Sequence, residues 1–218
     1  MKFRRKAADP IDDGQDYDGH ADDGQADEQA GDQAAAAEAG PIDAEDIDDD
    51  RERVDLGGLL LLPVEGKELQ LQVDEASGEV QSVMLAGSDE ALELRVFAAP
   101  RHGDLWSEVR PQIAAEVVSR GGSTTEREGR FGTELVCQVP VTTPDGKSAN
   151  QPSRIIGING SRWLLRATLL GRPAVEPDAD TELLDALTTV AVRRGSHAMP
   201  VGDPLPLTLP SEARRQGS

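Results

Sequence analysis

Arg154-Ile155-Ile156-Gly157-Ile158-Asn159-Gly160-Ser161-Arg162-Trp163-Leu164-Leu165-Arg166-Ala167-Thr168-Leu169-Leu170 decides the fold of this chain. Apolar runs flank Asn159-Gly160, the residue pair that best tolerates the positive φ required at both central positions of a tight hairpin turn. The stretch therefore predicts two antiparallel strands joined by a two-residue loop. In that register Ile158 faces Ser161, Ile156 faces Trp163 and Arg154 faces Leu165. Side chains alternate along a strand, so Trp163, Leu165, Ala167 and Leu169 share one side, which should be core. Arg162, Leu164, Arg166, Thr168 and Leu170 make the opposite, mixed side.

Working toward the N-terminus, Leu92, Leu94, Val96 and Ala98 alternate with Glu93, Arg95 and Phe97, the period-two pattern of a half-buried strand. The same alternation runs through Val80, Ser82 and Met84 against Gln81, Val83 and Leu85. It recurs in Leu69, Leu71 and Val73 against Gln70, Gln72 and Asp74. Leu56 and residues 59–62 form an earlier apolar run, bent at Gly57-Gly58 and stopped by Pro63. These four segments resemble an antiparallel meander. After residues 99–103 the period changes: Leu105, Val109, Ile113 and Val117 recur every four residues behind Asp104, a good N-cap, and Gly121-Gly122 closes the helix. Pro111 deletes the bond to Ser107 and predicts a kink.

Toward the C-terminus, residues 124–128 read as an edge strand turning at 129–132 into 135–141, and Thr143-Pro144-Asp145-Gly146-Lys147 is a turn that leads back into the hairpin. After Gly171-Arg172-Pro173 a second helix starts at Asp178 or Asp180 and runs through Leu187, followed by a last strand at 190–192. The expectation is an α+β domain over residues 53–195: a mostly antiparallel sheet with two helices packed on one face. Residues 196–218 read as a Pro-rich end, an extended strap over the domain or a free tail, with Leu205, Leu207 and Leu209 between prolines.

Residues 1–52 differ in kind. Positions 7–50 carry seventeen Asp and Glu, no Lys or Arg and few large apolar side chains, too little to offset the entropy of ordering, so this stretch reads as a disordered acidic arm. The whole chain has 41 acidic and 22 basic residues over 218 positions, a net charge of −19. That sign disfavours nucleic-acid binding, which draws on Lys and Arg displacing counterions, and suits a protein partner, a basic one if the arm contacts it. Asp12-Asp13-Gly14-Gln15 recurs as Asp22-Asp23-Gly24-Gln25, but no register supplies the alternate ligands and the Glu at position twelve of a calcium loop. The basic start, residues 1–6, lacks the apolar run of a signal peptide, and no stretch approaches the ~20 apolar residues of a membrane span, which together suggest a cytoplasmic protein. The single cysteine, Cys137, lies in an apolar run and suits a reducing compartment.

Few residues carry chemistry. His20, His102 and His197 are scattered, no zinc spacing occurs with one cysteine, and neither Gly-rich phosphate-loop pattern is present, so no catalytic residue, cofactor or metal is assigned. The constellation worth testing is Arg101, His102, Trp106, Arg154, Arg162 and Arg166 as a candidate binding surface, since guanidinium forks suit an anion or a carboxylate-rich segment, the acidic arm included. Hairpin alternation splits it, with Arg154 on the Trp163 side and Arg162 and Arg166 opposite. The leading reading is a nonenzymatic protein-interaction module. The alternative is a small-ligand-binding protein or enzyme with a pocket near Arg101, His102, Trp106 and Arg154. A third, a nucleic-acid mimic that sequesters basic proteins, rests on the arm alone.

Several blocks match a known pattern in order: Asp55-Leu56-Gly57-Gly58-Leu59, Leu94-Arg95-Val96-Phe97-Ala98-Ala99-Pro100-Arg101, Leu105-Trp106-Ser107-Glu108-Val109-Arg110, Gln151-Pro152-Ser153-Arg154, Asn159-Gly160-Ser161-Arg162-Trp163-Leu164-Leu165-Arg166 and Gly171-Arg172-Pro173-Ala174. Over about residues 50–210 the chain is similar to the actinobacterial domain-of-unknown-function family 3710. The resemblance implies small cytoplasmic proteins with acidic, variable N-termini and no assigned activity or catalytic residue. The interior Pro111 departs from the uninterrupted helix of that pattern.

Overall fold

The computed structural model describes residues 40–143, 145–176 and 182–210. The expected arm falls mostly outside them, as does the start of the expected second helix. Within the described residues the class is α+β, dominated by an antiparallel sheet.

Eleven strands of the described residues form two sheets. The larger takes β4 (Glu68–Val73), β5 (Val80–Ala86), β6 (Glu90–Ala98), β7 (Ser123–Gly129), β8 (Gly132–Thr142), β9 (Ser148–Asn159) and β10 (Trp163–Gly171), in the order β4-β5-β6-β10-β9-β8-β7 with every neighbour antiparallel. The smaller is made of β1 (Ile42–Asp43), β2 (Val54–Asp55), β3 (Leu59–Leu61) and β11 (Ala191–Val192), in the order β1-β11-β3-β2. The first segment of the expected four-strand meander therefore leaves for the second sheet, and β4-β5-β6 remain as the meander.

Two cross-strand rows show how the sequence chooses faces. Leu69, Leu85, Leu92, Leu169, Arg154, Val136 and Thr125 lie in register across all seven strands of the larger sheet. The adjacent row, on the other face, reads Gln70, Met84, Glu93, Thr168, Ile155, Leu135 and Glu126. The first face is apolar over most of its width and packs under the smaller sheet: Leu92, Leu94, Leu165 and Leu169 join Leu56, Leu59, Leu61 and Val192 in one core. Fully burying one such leucine contributes about 1.5–3 kcal/mol.

Among the described residues three α-helices flank the sheets: α1 (Leu105–Ser119), α2 (Arg172–Val175) and α3 (Glu182–Thr188). Leu183, Leu184 and Leu187 of α3 belong to the core under the smaller sheet. By contrast, α1 packs Leu105, Trp106, Val109, Ile113 and Val117 against Leu135, Cys137, Ile155 and Leu164, which belong to the other face. Placing both helices on one face is thus corrected. The apolar half of the second row, Ile155 and Leu135, is what α1 covers, and the polar half, Gln70 to Thr168, needs no cover. Asp104 caps α1 as expected, accepting from the Ser107 amide at 3.0 Å, and the helix runs through Pro111 as one element.

The hairpin forms with a longer loop than expected. Leu164 pairs with Asn159, Leu165 with Ile158 and Leu169 with Arg154, and residues 160–162 connect the two strands. Gly160 donates its amide to the Trp163 carbonyl at 2.8 Å, and the positive φ falls on Arg162, at 67°, instead of on the Asn-Gly pair. The reason is Trp163, whose ring folds over Gly160 so closely that a Cβ there would lie 2.0 Å from it. The register moves by an even number of residues, so the assignment of faces survives.

Residues ahead of the expected boundary at 53 make contacts of their own. Ile42 and Asp43 pair in parallel with Ala191 and Val192, and the Asp43 carboxylate accepts from Trp163 Nε1 at 2.6 Å. Asp49 holds Arg53 through two hydrogen bonds, of 2.6 and 2.9 Å. Residues 40–52 are therefore part of the fold. At the other end, residues 200–210 form the strap. Its backbone bonds Ala98, Val96, Gly58 and Leu56, filling the space where β5 and β6 part, and it buries Leu205 and Leu207. Pro204 and Pro206 have no N–H to satisfy and stay exposed.

Candidate functional site

The six candidate residues occupy five places. Arg101 and His102 are exposed in the loop before α1. Trp106 is buried, donates Nε1 to the Thr133 carbonyl at 2.6 Å, and lies against Gly157. A Cβ at Gly157 would sit 2.1 Å from the Trp106 ring, so that glycine is what lets the indole reach the sheet. Trp106 is thereby a packing residue that seats α1.

Arg154 is 1% exposed, on the core face. Its Nε donates to Glu134 Oε1 at 2.8 Å, and Arg127 Nε reaches the same oxygen at 3.0 Å. Burial pushes the Glu134 carboxyl up, opposed by Arg154 and then Arg127. Gly129 makes room for this network, since a Cβ there would come within 2.6 Å of the Glu134 carboxyl. Arg154 is thus a buried cation on the core face, whereas Trp106 belongs to the cluster under α1 on the opposite face.

Arg162 uses its backbone. Its carbonyl accepts from the Ala99 amide at 2.9 Å and from Arg194 Nε at 3.1 Å, which ties the hairpin to β6 and to the segment after β11. Those two bonds hold a non-glycine residue in the left-handed region.

Arg166 faces a cavity. It lies on the α1 side of β10, directly across from Arg95 of β6, with its guanidinium 5.3 Å from the Phe97 ring. Arg95 is bonded to Glu93 at 2.9 Å, and no hydrogen bond or ion pair holds Arg166 among the described residues. Burial, then the neighbouring Arg95, lowers the Arg166 pKa from its ordinary value. A cleft of about 210 Å³ opens here between α1 and the sheet, lined by Leu105, Val109, Ile113, Leu164, Phe97 and Arg166, with Gln112, Glu116 and Gly202 completing it.

A second cavity, of about 550 Å³, shares Phe97 and lies beside the strap, with Arg95, Gln81, Pro204, Pro206 and Leu207 among its lining residues. The sequence pattern missed it. Its one legible signal was the alternation of leucines with prolines, which marks a strap but not what the strap borders.

Other chemistry-bearing groups are dispersed. Cys137 is fully buried on the α1 side, and burial pushes its thiol up against a hydrogen bond with Ser153. His102 and His197 are exposed. Among the described residues no group of three His, Cys, Asp or Glu converges to hold a metal ion, and no helix is long and apolar enough to cross a membrane.

Among the described residues, fold and site together define an α+β domain whose larger sheet is covered on one face and half covered, by α1, on the other. The chain belongs to the family described as "Protein of unknown function (DUF3710)", which matches residues 40–216. That match starts at the first residue of the described fold, ahead of the boundary read from composition. No curated protein matches the chain.

Proposed function

We propose that this chain is a nonenzymatic interaction module that receives a partner polypeptide on the half of its larger sheet that α1 leaves open. The observation that carries this reading is the second cross-strand row. Its covered end is Ile155 and Leu135, whereas Gln70, Met84, Glu93 and Thr168 continue it with no helix above among the described residues. Phe97 and Arg95 stand beside that row, next to the cavity of about 550 Å³. An aromatic, a methionine and an arginine amid polar groups are the residue types that anchor protein interfaces. The dispersal of Cys137, His102 and His197 favours binding over catalysis, because nucleophilic chemistry needs a base within hydrogen-bond reach of the nucleophile. A cytoplasmic setting, in keeping with the lone cysteine, belongs to the same proposal.

Affinity capture with the full-length chain and two variants tests it. Met84→Lys places a charge on the open half, and Val118→Lys places one on the exposed outer side of α1. The expected result is a partner held by the wild type and Val118→Lys and lost, at least tenfold, by Met84→Lys. Equal capture by all three overturns the reading.

A further inference from the structure

We propose that the cleft beneath α1 is a binding site for a small apolar monocarboxylate, whose hydrocarbon body packs between helix and sheet and whose carboxylate meets Arg166. This goes beyond the polypeptide surface and shares only Phe97 with the larger cavity.

Three observations converge. The first is charge. Arg95 and Arg166 are direct cross-strand partners, and Glu93 bonds Arg95, which leaves one guanidinium in excess at the cleft. The other acidic group nearby, Glu116, is bonded to Arg120 on its own helix. Like charges directly opposite on a sheet repel, and an anion on Arg166 relieves that repulsion.

The second is shape. The Arg166 guanidinium lies over the Phe97 ring, 5.3 Å from its centre, and its planar fork matches a carboxylate through two parallel hydrogen bonds. The third is the wall. Leu105, Val109, Ile113, Leu164 and Phe97 offer hydrocarbon, not hydrogen bonds, to whatever lies between the helix and Arg166. Gln112 turns its amide back toward the Glu108 carbonyl at 3.3 Å. A doubly charged anion such as phosphate would leave these walls uncovered, and an alcohol would leave the cation unmatched.

Size sets the ligand. About 210 Å³ is below the roughly 300–1,000 Å³ of sites for drug-sized molecules. At about 30 Å³ per water-sized group it takes some seven or eight heavy atoms. Hexanoate, a six-carbon acid, has that size and is the probe.

Full-length protein labelled with ¹⁵N is titrated with hexanoate, with 1-hexanol as the uncharged counterpart and with acetate as the counterpart lacking the apolar body. Saturable amide shifts over residues 105–116 and 164–166 are expected with hexanoate, at a dissociation constant on the order of 1 mM, given how little surface so small a ligand buries. Hexanol and acetate should each bind at least tenfold more weakly. Arg166→Gln should weaken hexanoate at least tenfold, and Lys147→Gln, in a distant exposed turn, should leave it unchanged. Ile113→Phe fills the cleft from the helix side, leaves the strand intact and should abolish the shifts, so the test stands even if Arg166→Gln does not fold. Absence of saturable shifts, equal binding of hexanol, or hexanoate binding that survives Ile113→Phe overturns the proposal. Partner capture by the Met84→Lys pair is read separately, so either result can fail without the other.

Discussion

Trp106 reaches the sheet only because residue 157 has no side chain. Gly157→Ala puts a methyl group where the indole lies, and overpacking of this kind costs about 1–3 kcal/mol. A urea unfolding midpoint lowered accordingly, with α1 the first element to lose amide protection, is the expected outcome. The Arg154–Glu134 pair gives a second prediction at this scale. Removing the cation in Arg154→Met strands a buried carboxylate that keeps Arg127 alone, and breaking a buried pair typically costs about 3–5 kcal/mol. The same titration measures it. Alternation along β9 placed Arg154 on the core face from sequence alone. Its burial was not legible, because the partner that makes it tolerable, Glu134, comes from another strand whose register only the folded sheet fixes. Arg166 was legible as a residue of the mixed face. That it lacks a carboxylate of its own follows from the Arg95–Glu93 bond, which no spacing in the hairpin reveals.

At the scale of elements, α1 is seated by its first turn. Burial raises the Asp104 pKa, but hydrogen bonds from Ser107 and Asn159 outweigh it and hold the carboxyl below its ordinary value. A group depressed in the folded state contributes stability above its unfolded pKa of about 3.9, and that contribution is lost as pH falls through the folded value. Asp104→Asn keeps a capping side chain and removes this dependence. The stability gap between wild type and Asp104→Asn should therefore narrow between pH 6 and pH 2.5, as read by urea unfolding at each pH; a gap that widens toward acid contradicts the assignment. The strap is the second element with a measurable role. Leu205 and Leu207 are buried, and truncating a buried leucine to alanine costs about 2–5 kcal/mol, the lower end applying at a surface strap. Leu205→Ala should lower the unfolding free energy by about 2 kcal/mol, while Leu209→Ala, at an exposed position, should leave it within 0.5 kcal/mol. The strap's extended form was readable from its prolines. The hairpin loop was misread because propensity favours Asn-Gly in a tight turn, and the packing of Trp163 over Gly160 overrides it.

For the molecule as a whole, composition did not reveal the contacts made ahead of residue 53. Ile42 and Asp43 look like part of a charged stretch, yet they add a parallel strand beside β11 and bind Trp163. A chain starting at residue 40 should thus unfold at the same urea concentration as the full-length protein, and one starting at residue 53 should unfold earlier by about 2 kcal/mol or more, having lost strand pairing and the Asp43 partner of the buried Trp163 indole. The larger sheet's class and most of its strands were legible from period-two alternation. Which half of each face is covered was not, since that depends on where α1 lands. The functional account depends on that half-covered face. The most direct test is to add the captured partner to ¹⁵N-labelled protein spanning residues 40–218 and map the amide shifts. The account predicts that they concentrate on β4, β5 and β6 around Gln70, Met84, Arg95 and Phe97; shifts confined to the outer side of α1 or to the β7 edge would contradict it.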